Sequence, residues 1–193
     1  MPKSPPPPPA APANAPAPLV IRPCFEQDMQ QVALIYAHHV TAGAGSLEIQ
    51  PPGLKEMKDR WAKIVTRGWP WLVASPKDDI TRIAGYAYAA QYRDRAGYAH
   101  CFEDSVYVAP GFEKRGVGFA LLASLLPELQ ELECRQIVAF IGGSDNAASI
   151  ALHAKCGFSH VGTLWSVGWK FGRWHDVIVM QRELLPKEAD NGG

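Results

Sequence analysis

The chain has 193 residues, of which 47% are hydrophobic and 20% are charged, as expected for one globular domain with a substantial core. Basic and acidic residues number 19 each, so the net charge of zero gives no reason to expect nucleic acid or an anionic membrane as a partner. No apolar run approaches the roughly 20 residues of a membrane-spanning helix, and we expect no secretory signal.

The four cysteines lie far apart in the sequence, without CxxC pairing or the spacing of a metal site; they are Cys24, Cys101, Cys134 and Cys156. Isolated cysteines of this kind are usually small buried hydrophobes in a reducing compartment. We therefore expect a cytoplasmic protein without a bound metal.

The two ends of the chain differ in composition from the rest. Residues 1–18 contain a proline- and alanine-rich tract from Pro5 to Pro18 without a large apolar side chain, which favours a disordered tail. A ligand for proline-recognising domains is the alternative. We also expect residues 187–193 to be disordered, which leaves residues 19–186 as one folded domain.

The apolar periodicities predict secondary structure in the order β-α-α-β-β-β-α-β-α-β-β. Strands are predicted at about 19–22, 69–75, 83–92, 98–108, 136–141, 158–165 and 174–183, and helices at about 28–41, 54–66, 116–132 and 146–155. The pattern indicates an α/β fold with a mixed sheet and a largely antiparallel N-terminal half.

The most informative segment is residues 103–122, in which a short strand ends at a glycine-rich loop that leads into a helix. The loop contains Arg115-Gly116-Val117-Gly118. Glycines allow backbone N–H groups to approach phosphate oxygens, and a helix N-terminus adds positive dipole potential. The alternative is an ordinary turn whose glycines serve backbone geometry alone.

Four blocks of sequence resemble the phosphinothricin acetyltransferase branch of the GNAT-superfamily N-acetyltransferases. They read YRDRAGY at 92–98, EDSVYV at 103–108, NAASIALHAKCGF at 146–158 and GWKFGRWHDV at 168–177. The resemblance spans most of residues 19–184 and implies the GNAT fold, with about seven strands and about four helices. One departure is Glu113, where the family usually has Gln or Arg; it puts a carboxylate near the expected phosphate site.

The resemblance implies acetyl-CoA as co-substrate, with its pyrophosphate at the glycine loop. The implied contact residues are Val106, Tyr107, Val108, Lys114, Arg115, Gly116, Val117, Gly118, Asn146 and Ser149. Asn146 also has the position of a helix cap, and both roles can coexist.

Acetyl transfer to an amine requires a neutral amine, oxyanion stabilisation and a proton for the departing thiolate. By resemblance, Glu103 is the candidate base; the alternative is a surface carboxylate. His153 is the candidate acid for the thiolate or an assisting base, since imidazole titrates near neutrality. Without the motif, a lone helix histidine would be interpreted as a packing or solvent-facing residue.

The loop that contains Arg93, Arg95 and Tyr98 is the candidate acceptor site, because arginine forks bind carboxylates and phosphinates. A solvated Arg-Asp-Arg turn is the alternative. Lys170, Trp174, His175 and Asp176 form a polar cluster, for which a role at the interface of a homodimer fits better than metal binding.

We therefore expect an N-acetyltransferase that acetylates the α-amino group of a small amino acid, such as phosphinothricin or methionine sulfoximine or sulfone, directly from acetyl-CoA in a ternary complex. The resemblance associates this activity with detoxification and with herbicide or antibiotic resistance. Alternatives are a GNAT enzyme for another amine or a peptide N-terminus, and an idle CoA-binding module. A nucleotide-binding enzyme fits less well, since the chain lacks GxxxxGK[ST] and an N-terminal GxGxxG.

Overall fold

The computed structural model describes residues 18–185, which form a seven-stranded mixed sheet flanked by four α-helices. The strands are β1 (Leu19–Pro23), β2 (Trp71–Pro76), β3 (Gly85–Gln91), β4 (Cys101–Val108), β5 (Gln136–Gly142), β6 (Ser159–Lys170) and β7 (Arg173–Glu183). The helices are α1 (Met29–Ala42), α2 (Leu54–Val65), α3 (Val117–Glu131) and α4 (Ala147–Lys155).

The predicted order of helices and strands is confirmed, and two boundaries differ by three residues or more. The chain forms a short 3₁₀ turn at Ala96–Tyr98, so β4 begins at Cys101 rather than at Tyr98. Strand β6 continues to Lys170 rather than ending at Trp165, because it resumes pairing with β7 after an irregularity. The predicted tails lie outside the described residues, apart from Pro18, whose carbonyl accepts a hydrogen bond from the Lys77 amide at 2.8 Å.

The sheet runs in the order β1-β2-β3-β4-β5-β7-β6. Strands β1 to β4 are antiparallel neighbours, as predicted for the N-terminal half, and β4 and β5 are parallel. Within residues 18–185, no helix combines the length and the apolar character that crossing a bilayer requires.

Alternation of side chains along β3 gives the sheet two different faces. Tyr86 and Tyr88 lie on the face covered by α1 and α2, whereas Gly85 and the small residues that alternate with the tyrosines face α3. A Cβ at Gly85 would lie 3.0 Å from Val117 Cγ1 and 2.7 Å from the Tyr107 carbonyl oxygen. The small face therefore allows α3 to pack closely against the sheet.

The parallel pair at the centre of the sheet is short. Strands β4 and β5 are in register only at Cys101–Gln136, Phe102–Ile137 and Glu103–Val138. Beyond Glu103, residues 104–108 and 139–142 lie on opposite sides of a cleft. Because the two strands separate toward their carboxyl ends, they open the kind of crevice in which α/β sheets bind ligands.

Candidate active site

The cleft between β4 and β5 has a volume of about 740 Å³. It is bounded by the separated strand ends, by the loop after β4, by the N-terminus of α3, by α4, and by the end of α1 with the loop that follows it. Beyond the three paired positions, β4 and β5 no longer bond to each other across the cleft, so their facing backbone groups can bond to a bound molecule.

The N-terminus of α3 closes one end of the cleft through a turn with left-handed backbone. Lys114 has φ 59° and Gly116 has φ 81°, and a Cβ at Gly116 would meet nothing within 4 Å. The glycine is therefore favoured by its backbone conformation rather than by crowding. The first amides of α3, which have no partner within the helix, begin at this turn.

Nine of the ten residues predicted to bind the co-substrate line this cleft: Val106, Tyr107, Val108, Lys114, Gly116, Val117, Gly118, Asn146 and Ser149. Arg115 is the exception: it is not part of the cleft wall, and its guanidinium lies 5.5 Å from the centre of the ring of Phe112, which does line the cleft. Asn146 caps α4 as predicted, with its side chain accepting from the Ser149 amide at 3.3 Å.

Glu113 lines the cleft, as its position beside the glycine loop suggested. Its Oε2 accepts a hydrogen bond from the Gly111 amide at 2.7 Å. The carboxylate therefore takes up one backbone donor of the loop and adds negative charge where the resemblance places phosphates.

The loop at residues 43–45 forms a wall of the cleft that the sequence did not identify as part of the site. Buried Lys170 donates from Nζ to the carbonyls of Gly43 at 2.8 Å and Ser46 at 2.6 Å. A Cβ at Gly142 would lie 2.1 Å from the Ala44 carbonyl oxygen. The glycine-containing loop was visible in the sequence, but the lysine that anchors it is more than 120 residues away.

His153 and Asp104 form a buried ion pair beside the cleft. The His153 Nε2 lies 3.0 Å from Asp104 Oδ2, and its Nδ1 lies 2.7 Å from the Ser149 carbonyl oxygen. Because both ring nitrogens face acceptors, the geometry favours the doubly protonated imidazolium. Burial lowers the pKa of His153, but Asp104 and the Ser149 carbonyl outweigh it, so the pKa is raised overall.

Asp104 was missed in the sequence although it follows the candidate base directly. Its carboxylate is buried, and Oδ1 has no hydrogen-bond partner within residues 18–185. Alternation along β4 places Asp104 on the face opposite Glu103, toward α4. In the sequence, the pair was indicated only by a carboxylate on the inward-facing side of the predicted strand (Asp104) and a histidine on a later predicted helix (His153).

Glu103 lies on the α1/α2 face of β4 and does not line the cleft. It is half-buried, and burial raises the pKa of its carboxyl group; Asp104 adds to the rise and Arg93 opposes it. The structure therefore places the candidate base and the candidate acid on opposite faces of one strand. This separation suits a base that meets the acceptor and an acid that meets the co-substrate.

The loop with the candidate substrate arginines follows β3 on the Glu103 side. Gln91 Nε2 donates to the carbonyls of Arg93 at 2.6 Å and Arg95 at 2.9 Å. The rings of Tyr92 and Tyr98 meet edge to face, with their centroids 5.5 Å apart. All three predicted side chains, including Tyr98, are exposed and available to a ligand.

The C-terminal polar cluster is divided between the interior and the surface. Lys170 and His175 are buried, and His175 Nε2 bonds to the Lys170 carbonyl at 3.1 Å. Asp176 accepts from the Ser166 amide at 2.8 Å, and Trp174 is 60% exposed. Within residues 18–185, no group of three or more His, Cys, Asp or Glu side chains is placed to hold a metal ion.

Comparisons with known proteins agree with this geometry. Residues 44–158 match the family model described as "Acetyltransferase (GNAT) family". A phosphinothricin N-acetyltransferase from Alcaligenes faecalis is 46% identical over 164 residues, which cover 85% of this chain and 82% of that protein.

Two solved structures are similar over nearly their whole length. A GNAT-superfamily phosphinothricin acetyltransferase from Sinorhizobium meliloti, solved with AcCoA, has a TM-score of 0.83 and 34% identity and covers 90% of this chain and 94% of its own. A ribosomal-protein-alanine N-acetyltransferase from Brucella melitensis has a TM-score of 0.81 and 36% identity, covering 86% and 99%.

The cleft fits acetyl-CoA. The backbone groups of β4 and β5 that do not pair with each other can bond to the amide groups of acetyl-CoA, and the N-terminus of α3 can bind its phosphates. When bound, acetyl-CoA supplies the thioester whose acetyl group is transferred. The chain belongs to the GNAT family and is an acetyl-CoA-dependent N-acetyltransferase.

Proposed function

We propose that the protein acetylates the α-amino group of a small amino acid with a strongly polar side-chain end, such as phosphinothricin, methionine sulfoximine or methionine sulfone. The observation that carries this proposal is the half-buried Glu103 with Arg93 close enough to affect its pKa, on the sheet face opposite Asp104 and His153. The name of the relative from Alcaligenes faecalis supports the same class of acceptor.

Glu103 is the proposed general base. An ammonium group has no lone pair, so a proton must leave the amine before or during attack on the thioester. A carboxylate whose pKa is raised by burial is a better base than an exposed one, and it still has to be ionised to act. Activity should therefore rise with pH through the raised pKa of Glu103.

His153 is the proposed acid for the departing thiolate. The raised pKa keeps its imidazole protonated to higher pH than that of a free histidine. Both ring nitrogens are bonded to acceptors, so one of these two hydrogen bonds must break before the ring can donate its proton to the thiolate. Ser149 lines the same cleft, and its Oγ lies 3.4 Å from His153 Nδ1, next to the hydrogen bond between Nδ1 and the Ser149 carbonyl.

Direct transfer in a ternary complex is favoured over an acyl-cysteine intermediate. Burial raises the pKa of all four thiols, Cys24, Cys101, Cys134 and Cys156, and none of them lines the cleft. A thiol with a raised pKa provides little thiolate at neutral pH. All four cysteines are free, which also fits the proposed cytoplasmic location.

A homodimer is proposed through the edge of the sheet at β6. Its neighbourhood exposes Trp165 (73%), Trp169 (55%), Phe171 (58%) and Trp174 (60%), a concentration of aromatic surface that is unusual for a monomer. Exposed Trp174 is the member of the C-terminal cluster that would reach the interface. Sedimentation at several concentrations tests this part of the proposal, and a monomer at all of them would refute it.

The second candidate acceptor is a protein N-terminus, favoured by the similarity to the Brucella melitensis enzyme. The experiment measures CoA release with phosphinothricin, methionine sulfone, ordinary amino acids, polyamines and an alanine-terminated peptide. Turnover confined to the polar amino acids supports our proposal; preference for the peptide supports the alternative and refutes ours.

Glu103→Gln tests the base in the same assay. General-base catalysis contributes on the order of 10²–10⁴ in rate, so turnover should fall by about that factor while acetyl-CoA binding persists. Glu128→Gln is the matched control, because Glu128 is on α3, outside the cleft, and burial raises its pKa too. Equal turnover of Glu103→Gln and the wild type at neutral pH would remove Glu103 from the mechanism.

A further inference from the structure

An exposed aromatic side chain lines the acetyl-CoA cleft at the N-terminus of α3. Phe119 is the third residue of this helix, and it is 39% exposed although it forms part of the cleft wall. Side chains of a helix lean toward its N-terminus. The phenyl ring therefore lies close to the first amides of α3, which can bind the phosphates of acetyl-CoA.

A lysine of α4 lies over this ring. Lys155 Nζ is 4.4 Å from the centre of the Phe119 ring, and both residues are exposed. Within residues 18–185, the Lys155 ammonium forms no ion pair with a carboxylate. An exposed contact between a lysine and an aromatic ring contributes little stability by itself. The ammonium charge is therefore available to an anion that enters the cleft.

Lys155 belongs to the face of α4 that forms the cleft wall. Ala148 and Leu152 line the cleft, and Lys155 follows them by seven and three residues, which places it on the same side of the helix. The two helices are in close contact here, since a Cβ at Gly118 would lie 3.0 Å from Leu152 Cδ2. Lys155 therefore continues the wall that α3 and α4 form together.

The adenosine end of acetyl-CoA has the chemistry that this pair of side chains can bind. Beyond its pyrophosphate, the molecule ends in an adenine base and a phosphate on the ribose. Bases stack on exposed aromatic side chains. A phosphate monoester carries nearly two negative charges at neutral pH and pairs with a lysine ammonium. An aromatic ring and an ammonium 4.4 Å apart match these two groups.

The glycine loop of this chain makes a second phosphate contact more important. Glu113 lines the cleft beside the loop, and its carboxylate already accepts from the Gly111 amide at 2.7 Å. Its negative charge opposes the binding of the pyrophosphate at the same place. A cation on α4 attracts a different phosphate of the same molecule, so Lys155 offsets part of the effect of Glu113.

We propose that Phe119 and Lys155 form the subsite for the adenosine end of acetyl-CoA, in which the ring stacks with adenine and the ammonium pairs with the ribose phosphate. Lys155 then makes the protein select CoA over dephospho-CoA, which lacks only that phosphate. This inference concerns the co-substrate alone and holds whichever amine is acetylated.

The test of Lys155 measures dissociation constants for CoA and dephospho-CoA by calorimetry at low salt. The wild type should bind CoA about fivefold more tightly, as for one exposed ion pair. Lys155→Gln should remove this preference by weakening CoA binding alone. Lys55→Gln is the matched control, because exposed Lys55 lies on α2, outside the cleft. Equal wild-type affinities, or an equal loss for both ligands in Lys155→Gln, would overturn the proposal.

The same titrations test the aromatic ring. Phe119→Ala should weaken the binding of CoA and dephospho-CoA by the same factor, about tenfold, because both ligands keep the adenine. Phe119→Tyr keeps a ring that can stack and should bind both like the wild type. Phe25→Ala is the control, since its ring is 52% exposed beneath Arg22 and lies outside the cleft. Wild-type affinity in Phe119→Ala, or equal losses in Phe119→Tyr and Phe119→Ala, would overturn the stacking role.

Thermal unfolding separates binding from folding. Both side chains are exposed, so Lys155→Gln and Phe119→Ala without ligand should melt within about 2 °C of the wild type. A fixed concentration of CoA should then raise the melting temperature of the wild type more than that of either variant. A variant that melts lower without ligand, and gains as much from CoA as the wild type does, would show a packing role and overturn the proposal. None of these measurements uses an acceptor amine, so they stand apart from the proposed function.

Discussion

Replacing Asp104 by Asn should destabilise the protein far more in acid than in alkali. The substitution keeps the size of the side chain and an oxygen acceptor but removes the charge that faces His153 Nε2 at 3.0 Å. The two side chains are 0% and 5% exposed, so water screens the lost interaction very little.

The sign follows from the pKa of His153, which is raised in the folded protein. A raised folded-state pKa means that the pair stabilises the fold fully below the ordinary pKa of histidine, about 6.5. That contribution is lost as pH rises through the folded-state pKa, where the imidazole becomes neutral. In Asp104→Asn no carboxylate opposes the effect of burial on the His153 imidazole, so protonating the ring in acid lowers the stability of the folded protein.

The magnitude comes from the class of interaction. A hydrogen bond to a charged group contributes about 1.5–3 kcal/mol. Removing one member of a buried ion pair can cost about 3–5 kcal/mol, but the imidazole can release its proton, which places this change near the lower range. We expect a loss of about 2–3 kcal/mol in the free energy of unfolding at pH 5.5. Above the folded-state pKa of His153 a neutral N–H···O bond remains, and the loss should be below about 1 kcal/mol.

Urea unfolding of both proteins at pH 5.5 and at a series of higher pH values measures this difference. For a chain of this size, the acid loss corresponds to a fall of about 4–12 °C in melting temperature. Asp145→Asn is the matched control, because Asp145 pairs with Arg173 at 3.4 Å with both side chains more than 60% exposed, and its loss should be small at every pH. A loss for Asp104→Asn that does not decrease with rising pH would refute the ion pair.

Three further substitutions test the walls of the cleft. Glu113→Gln removes negative charge beside the glycine loop and should lower the KM for acetyl-CoA about twofold to fivefold at low salt, an effect that vanishes in high salt. Gly142→Ala should cost about 3 kcal/mol and raise that KM, since its Cβ would clash with the Ala44 carbonyl, whereas Gly162→Ala has nothing within 4 Å and should change little. Lys170→Met should cost about 2–3 kcal/mol in urea unfolding, because two buried bonds to the loop are lost.

The sequence predicted the order of helices and strands because the apolar periodicity changes clearly from one element to the next. Strand β3 begins Gly-Tyr-Ala-Tyr-Ala, and the structure places the two tyrosines on one face and the three small residues on the other. The glycine loop was also recognisable, since its function depends on local backbone geometry. By contrast, the end of β6 depends on pairing with β7 and could not be predicted from β6 alone.

The candidate site was predictable where a motif is local and not where distant residues meet. Nine of ten predicted co-substrate residues line the cleft, but Arg115 turns toward Phe112. The Asp104 partner of His153 was missed because 49 residues separate them in sequence. The unpartnered atoms of Trp71 and Tyr86 could not have been foreseen, since only the packed structure shows which polar groups remain unpaired.

The brief pairing of β4 with β5 divides the sheet into two halves that should unfold semi-independently. Strands β1 to β4 form one antiparallel unit and β5 to β7 another, and three residue pairs join their backbones. In the apo protein, the amide hydrogens of β4 and β5 that face the cleft should exchange faster than those bonded to β3 or β7. Acetyl-CoA bound between β4 and β5 would bridge the two units, so the stability of the contact between them would increase with the acetyl-CoA concentration.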